Sequence, residues 1–317
     1  MSAGEHISMS DNRRLEYSWT GPVCIFMMVG AVALIFFDRL PDGQDSKTKK
    51  STSVEKNELV ANPTGNSQKP SDDISKVLAS LSSKRLLDMS YSFDESTVYW
   101  PTDKSFRWEQ NRWGPTANGY WYASANYAAS EHGGTHLDSP VHFAEKGDTT
   151  EKITLDRLVS TANVIDIQSK CKSNRDYELT ISDIQFWEKA NGPLEAGCIV
   201  VVRTGWGQFW PDKKKYLGTD VPGDVANLHF PGISPRAAEY LVKNRKIDGV
   251  AIDTPSLDFG QSKLFETHRI LLGANIYGIE NLAQAEILPV KGAAIIALPM
   301  KIKGGTGGPI RVMAVLP

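Results

Sequence analysis

The sequence predicts an α/β domain with a mixed sheet, preceded by one N-terminal transmembrane helix and a disordered tether. Three observations predict it. From residue 86 onward, short apolar runs alternate with amphipathic segments. Near the N-terminus lies an apolar run without a formal charge. Between the two, residues 41–80 are rich in Ser, Thr, Asn, Asp, Lys and Gln and hold almost no large apolar groups.

The elements follow in chain order. Residues 1–16 form a polar tail. Tyr17 to Phe37 carry no charge, and as a helix this stretch would span ~32 Å, enough for a hydrocarbon core of roughly 30 Å. Tyr17 and Trp19 stand at one end, where interfacial aromatics are expected. Phe36-Phe37-Asp38-Arg39 offers no small-residue site for signal cleavage. Residues 17–40 therefore read as a single-pass membrane anchor. Arg13 and Arg14 precede it, and Arg39, Lys47, Lys49 and Lys50 follow. That count favours a cytoplasmic C-terminal side, although single-anchor enzymes also face lumens, so both sides stay open. The Asn-x-Thr match at Asn62-Pro63-Thr64 is blocked by its proline. Residues 41–85 read as a flexible tether, because such a composition buries too little apolar surface to offset its ordering entropy.

Residues 86–317 then form the folded domain. The runs from Ala162 to Ile167, Cys198 to Arg203 and Gly249 to Asp253 read as buried strands. Ser182 to Ala190 has a capping residue and helical spacing, and Ser234-Pro235 opens a second helix that runs to Lys243. Ala293 to Leu298 and Ile310 to Leu316 add terminal strands. Apolar content of 41% and charged content of 23% suit a globular core. A net charge of −2 gives no electrostatic case for a nucleic-acid partner. Cys24, Cys171 and Cys198 form no CxxC pair and read as ordinary thiols.

The chemistry concentrates in His132-Gly133-Gly134-Thr135-His136-Leu137-Asp138-Ser139-Pro140-Val141-His142-Phe143. This stretch holds three of the six histidines and a carboxylate. His132, His136, Asp138 and His142 are all even-numbered, so extended backbone points them to one face. A helix would turn Asp138 away, and Gly133, Gly134 and Pro140 oppose one. A straight strand would hold His132 and His142 ~33 Å apart. The Gly-Gly pair lets the chain curl and gather His132, His136 and Asp138 around one point. Two imidazoles and a carboxylate suit Zn, Mn or Fe, with positions left open for water or substrate. Two later segments carry polar groups that could reach the same point: Asp253 to Lys263, and His268 to Glu280 through Asn275. Trp100, Trp108, Trp113, Tyr120 and Trp121 form an aromatic-rich stretch before the motif. Trp100 and Trp108 are assigned to a pocket for a planar ring.

The string HGGTHLDSPVHF resembles the HxGTHxDxPxHF signature of the metal-dependent cyclase-like amidohydrolases, which include bacterial kynurenine formamidases and isatin hydrolases. The likeness covers about residues 86–317. Asp88 to Phe93, Thr97 to Pro101, Arg203-Thr204-Gly205-Trp206 and His229-Phe230-Pro231-Gly232 are similar to further blocks of the family. Asp253 to Gln261 and Gly273 to Asn281 resemble the isatin hydrolase branch more than the formamidases. The resemblance implies a swivelling β/β/α fold, usually a homodimer. It implies His132, His136 and Asp138 as metal ligands, His142 as a catalytic or second-metal histidine, and His268 and Glu280 as the pair that completes the site. It also implies a divalent metal cofactor, Zn or Mn, and hydrolysis of an aryl amide: an isatin-like cyclic amide or an N-formyl aniline such as N-formylkynurenine, a substrate of tryptophan catabolism. In that chemistry His142 moves the proton between water and the leaving nitrogen. The competing reading is a membrane-tethered pseudoenzyme or binding protein that keeps the fold and metal. A serine mechanism lacks its G-x-S-x-G elbow.

Overall fold

The computed structural model describes residues 76, 81 and 85–317. The expected anchor at 17–40 lies outside the described residues, as does the tether apart from residues 76, 81 and 85. Among the described residues no helix is long and apolar enough to cross a membrane.

The strands are β1 (Leu86–Asp88), β2 (Arg107–Pro115), β3 (Trp121–Ala128), β4 (His136–Asp138), β5 (Val159–Asp166), β6 (Glu178–Leu179), β7 (Ile199–Arg203), β8 (Gly232–Ile233), β9 (Gly249–Ile252), β10 (Tyr277–Glu280), β11 (Ala294–Pro299) and β12 (Gly307–Val315). The α-helices are α1 (Leu155–Leu158), α2 (Gln168–Ser173), α3 (Ile181–Asn191), α4 (Lys213–Leu217), α5 (Pro235–Asn244) and α6 (Glu266–Gly273). This is a mixed α/β fold, and its main sheet closes on itself. β5, β7, β9 and β10 run parallel. β4 pairs antiparallel with β10, β11 with β5, and β12 with β11. The first residues of β12 then pair with β4, Gly307 opposite Asp138 and Pro309 opposite His136, which completes the ring.

The apolar run of β7 explains why the sheet has two cores. All five of its residues are buried, as expected for a central parallel strand covered on both faces. Ile199 and Val201 point into the closed sheet with Val164, Tyr277, Ile295 and Val312. Val200 and Val202 point outward, against Trp187 of α3, Leu241 of α5 and Leu271 of α6. Each fully buried Val, Ile or Leu contributes about 1.5–3 kcal/mol.

Several boundaries differ from the sequence expectation, each for a local reason. α3 is capped by Thr180, not Ser182: Thr180 accepts from the Asp183 backbone while Asp183 accepts from the Thr180 N–H. α5 begins as expected, with the Ser234 hydroxyl accepting from Ala237 N–H. β9 stops at Ile252 because the Asp253 carboxylate turns back onto the N–H groups of Thr204, Gly205 and Trp206. β12 starts at Gly307 rather than Ile310, because the pairing with β4 recruits a Gly-Gly-Pro stretch of poor strand propensity. The aromatic-rich stretch becomes a hairpin, β2–β3, that pairs only with itself among the described residues.

Candidate metal centre

The site forms where β4 and β10 lie side by side, Glu280 opposite His136. Alternation along β4 puts His136 and Asp138 on one face, as the sequence pattern requires. His132 joins them because Gly134 takes a left-handed φ of 58°, which curls the chain back. His142 arrives differently. Pro140–His142 form one turn of 3₁₀ helix, so its even spacing from Asp138 reflects a turn and not an extended strand.

His268 sits in the first turn of α6. The residue before that helix, Phe265, adopts φ 47° and supplies no capping group. Asp258 replaces it: Oδ1 accepts from Thr267 N–H and Oδ2 from His268 N–H, each at 3.1 Å. The same Oδ2 accepts from His268 Nδ1 at 2.6 Å. One buried carboxylate thus caps the helix and aims its histidine.

Two overlapping trios result, His132–His136–Asp138 and Asp138–His268–Glu280, the ligand atoms of each lying within 4.8 Å of one another. Asp138 belongs to both. Its Oδ1 faces His132 Nδ1 at 2.7 Å and His136 Nε2 at 3.2 Å, and its Oδ2 faces His268 Nε2 at 3.2 Å. Glu280 Oε1 lies 3.0 Å from His268 Nε2, and Oε2 lies 3.5 Å from His136 Nε2.

The outer hydrogen bonds decide what the inward nitrogens carry. His136 donates from Nδ1 to the Gly134 carbonyl at 3.0 Å. His268 donates from Nδ1 to Asp258. The Thr306 hydroxyl gives its hydrogen to Glu131, so it can only accept from His132 Nε2 at 2.9 Å. Each imidazole therefore spends a proton outside the cluster and turns its other nitrogen toward carboxylate oxygens. His136 Nε2 is buried without a hydrogen-bond partner. Acceptors facing acceptors require either extra protons or a cation. This donor set, imidazole nitrogens with two carboxylates, fits a divalent ion of the Zn or Mn type.

The electrostatics agree. Burial opposes the imidazolium of His136, but Asp138 and Glu280 outweigh it and raise its pKa to about 9. Burial opposes it for His268 too, and Asp138, Asp258 and Glu280 push its pKa well above the usual value. Burial and the neighbouring Asp138 raise Glu280. The cluster draws positive charge to its centre, where proton and metal ion compete. His142 is the exception: burial lowers its pKa to about 4, against the pull of Asp138, leaving a neutral ring at pH 7. That ring stacks on His132 with centroids 3.8 Å apart.

The cluster floors a cavity of about 290 Å³. Tyr99, Trp100, Phe143 and Phe265 supply aromatic wall, and Ser256 and Asn281 add polar groups. The expected pocket residue Trp100 is there, packed against Phe230 and Phe265. Trp108 is not: it stands on β2 of the hairpin, 49% exposed, paired edge-to-face with Trp113. Asn275 also falls elsewhere, bonded to Asp148 beyond the end of α6. Sequence reading singled out neither Thr306 nor Phe265, and it marked Asp258 only as part of the segment Asp253 to Lys263. The signal for Asp258 was present, a carboxylate preceding a helix whose own start lacks a capping residue. Of the other family-like blocks, Thr97 to Pro101 supplies Tyr99 and Trp100 to the cavity wall, whereas those around Arg203 and Gly232 are scaffold. Arg203 ties down the carbonyls of Ala285, Glu286 and Leu288. At Gly232 a Cβ would come within 2.2 Å of the Phe259 nitrogen, so glycine lets the Asp258 segment pass.

The profile of the family described as putative cyclase matches residues 87–259. An isatin hydrolase of Roseibium aggregatum is 36% identical over 209 residues, 63% of this chain and 78% of that protein. A kynurenine formamidase of Salinibacter ruber is 28% identical over 235 residues, 72% of this chain and 96% of that protein. The structure of isatin hydrolase A from Ralstonia solanacearum superposes with a TM-score of 0.72 at 30% identity, over 80% of this chain and all of the other.

Proposed function

The chain belongs to the cyclase family of metal-dependent amide hydrolases, and we propose that it cleaves the C–N bond of a compact aryl amide. The substrates that fit are an isatin-like cyclic amide, favoured by the 36% identity to an isatin hydrolase, or an N-formyl aniline such as N-formylkynurenine. One observation carries this reading: imidazoles and carboxylates with inward acceptors floor a cavity walled by aromatic rings. At about 290 Å³ the cavity is at the lower end for small-molecule sites, which run to roughly 300–1,000 Å³, so it suits one ring system rather than a long chain.

His132, His136 and Asp138 would hold one divalent ion, and His268 and Glu280 would share Asp138 with a second or complete the first. A bound divalent ion supplies Lewis acidity and lowers the pKa of a water from 15.7 towards ~7. Water oxygen adds to the amide carbonyl and the C–N bond breaks; one water proton goes to the departing nitrogen and the other is released, giving a carboxylate and an aryl amine. His142, neutral in the cavity wall, takes the proton from water and returns it to the leaving nitrogen. Trp100 and Phe265, packed against each other, give the ring one apolar wall and keep bulk water from the carbonyl.

The test uses purified full-length protein, stripped by chelator and reloaded in turn with Zn and Mn. Hydrolysis of isatin or N-formylkynurenine that disappears with chelator and returns with metal supports the reading. Bound metal without turnover of either substrate refutes it in favour of the tethered binding protein.

Two further proposals concern assembly and location. The hairpin leaves Trp108, Trp113, Tyr120, Trp121, Tyr122 and Tyr127 about half exposed or more, and a second copy of the chain as a homodimer partner would cover such a surface. Light scattering on the purified protein tests this, and a monomer refutes it. Residues 17–40 are proposed to anchor the chain, from the length and lack of charge of Tyr17 to Phe37.

A further inference from the structure

Asn281 follows the candidate ligand Glu280 and occupies a left-handed conformation, φ 54°. It is buried; its N–H donates to the Thr254 carbonyl at 2.9 Å, and its other polar groups face the ligand loop or α4. Its Nδ2 donates to the Gly134 carbonyl at 2.7 Å, the same oxygen that receives His136 Nδ1 at 3.0 Å. Its backbone oxygen accepts from the Thr135 hydroxyl at 2.8 Å. Its Oδ1 accepts from the Tyr216 hydroxyl at 2.9 Å. Tyr216 lies in α4, fully buried, and its hydroxyl also approaches the Asp253 carbonyl at 3.0 Å.

The direction of this chain is forced. The Gly134 oxygen can only accept, so the Asn281 amide must turn its nitrogen there and its oxygen toward Tyr216. Tyr216 has one hydrogen, and both atoms facing it are acceptors. The carbonyl at the far end is that of Gly134, a residue held at φ 58° in the most permissive backbone of the ligand loop. Without a second bond, that carbonyl would swing and the His136 ring would follow it.

We propose that Tyr216 and Asn281 are positioning residues that hold the Gly134 carbonyl, and through it the His136 imidazole, in the orientation a metal ion needs. The device joins ligands from opposite sides of the site, because Asn281 is the chain neighbour of Glu280 and the hydrogen-bond neighbour of the His136 loop. Tyr216 lines no part of the cavity and reaches the ligand loop through Asn281.

The proposal rests on His136 being a metal ligand, and the experiment separates the two. Full-length wild type, Tyr216→Phe, Asn281→Ala and the double variant are stripped and titrated with zinc against a chelating dye. Each is also loaded with cobalt for its visible absorption spectrum, and melted in chelator. Failure of wild type to bind zinc or cobalt overturns the site itself. Given wild-type binding, Asn281→Ala should weaken zinc by about 10–100-fold, the usual loss for groups that orient metal ligands, and should shift the cobalt spectrum. Tyr216→Phe should change both in the same direction, and the double variant should bind no more weakly than Asn281→Ala alone. Lowered melting temperatures with wild-type zinc affinity and an unchanged cobalt spectrum would overturn the positioning role. If Asn281→Ala does not fold, Tyr216→Phe decides alone: it removes one oxygen, and a wild-type spectrum and affinity refute the proposal.

Discussion

Gly133→Ala tests whether close packing of Tyr99 against the ligand loop aims the cluster. A Cβ at Gly133 would lie 2.0 Å from Tyr99 Cδ1 and 2.2 Å from Cε1. Carbon atoms rest at about 3.5–4.0 Å, so ring or loop must move by more than an ångström. The ring is tied to the loop it would have to leave. Tyr99 is 4% exposed, and its backbone bridges Gly133 itself. Overpacking of this kind costs about 1–3 kcal/mol. At about 2–4 °C per kcal/mol for a domain of this size, the melting temperature should fall by roughly 2–12 °C. Because Gly133 lies between His132 and Gly134, zinc affinity should fall in the same variant. Tyr99→Ala supplies the control. Deleting a buried aromatic costs about 3–5 kcal/mol, but it opens the space the methyl needs. In the double variant the alanine at 133 should then add almost nothing, a coupling of about 1–3 kcal/mol. The assay is thermal melting in chelator together with zinc titration on all four proteins. An additive cycle, or a Gly133→Ala protein with wild-type melting and zinc affinity, would refute the reasoning.

Other substitutions address the chemistry and the surroundings. His136→Ala and Asp138→Ala should each abolish tight metal binding by inductively coupled plasma analysis, and full occupancy in Asp138→Ala would sink the assignment. His142→Ala should keep its metal yet lose ~10²–10⁴-fold in turnover; loss of the metal would make His142 a ligand instead. For Asp183, burial opposes ionisation, but Lys170, Thr180 and Tyr177 outweigh it and hold the carboxyl below its ordinary 3.8. Its stabilisation is therefore complete above that pH and lost as pH falls through the lowered value. Asp183→Asn should flatten the acid limb of denaturant-measured stability, and an unchanged limb would contradict this. Full-length protein should pellet with membranes and resist extraction by high salt, whereas residues 86–317 alone should stay soluble. Salt-extractable full-length protein would argue against the anchor.

What the sequence made legible follows from the range of the interactions involved. β7 and α5 were readable because an apolar run and a Ser-Pro start are local signals. The β2–β3 hairpin was not, since its aromatics face solvent on both sides and leave no alternation to detect. Trp108 stands outside the cavity for the same reason: aromatic content marks a segment without saying which surface it covers. His136 and Asp138 were legible from alternation, and His132 from the glycines beside it. His268 and Glu280 stand in a segment whose polar groups could reach the site, but their role as ligands is implied only by the family likeness, because no local pattern announces a contact between His268 and Asp138 across 130 residues of chain.

The less visible part of the site is the part that gives the histidines their chemistry. Composition counts imidazoles, but it cannot say which nitrogen of each one faces inward. That choice belongs to the Gly134 carbonyl, Thr306 and Asp258, which come from a loop, from the strap before β12 and from the approach to α6. Had any of them offered a donor instead of an acceptor, the corresponding ring would have flipped its tautomer and presented an N–H to the cluster. An N–H there would satisfy Asp138 or Glu280 by an ordinary hydrogen bond and leave no place for a cation. The metal-binding character of this motif is therefore a property of the closed sheet, which brings β4, β10 and β12 together so that every outer partner is an acceptor.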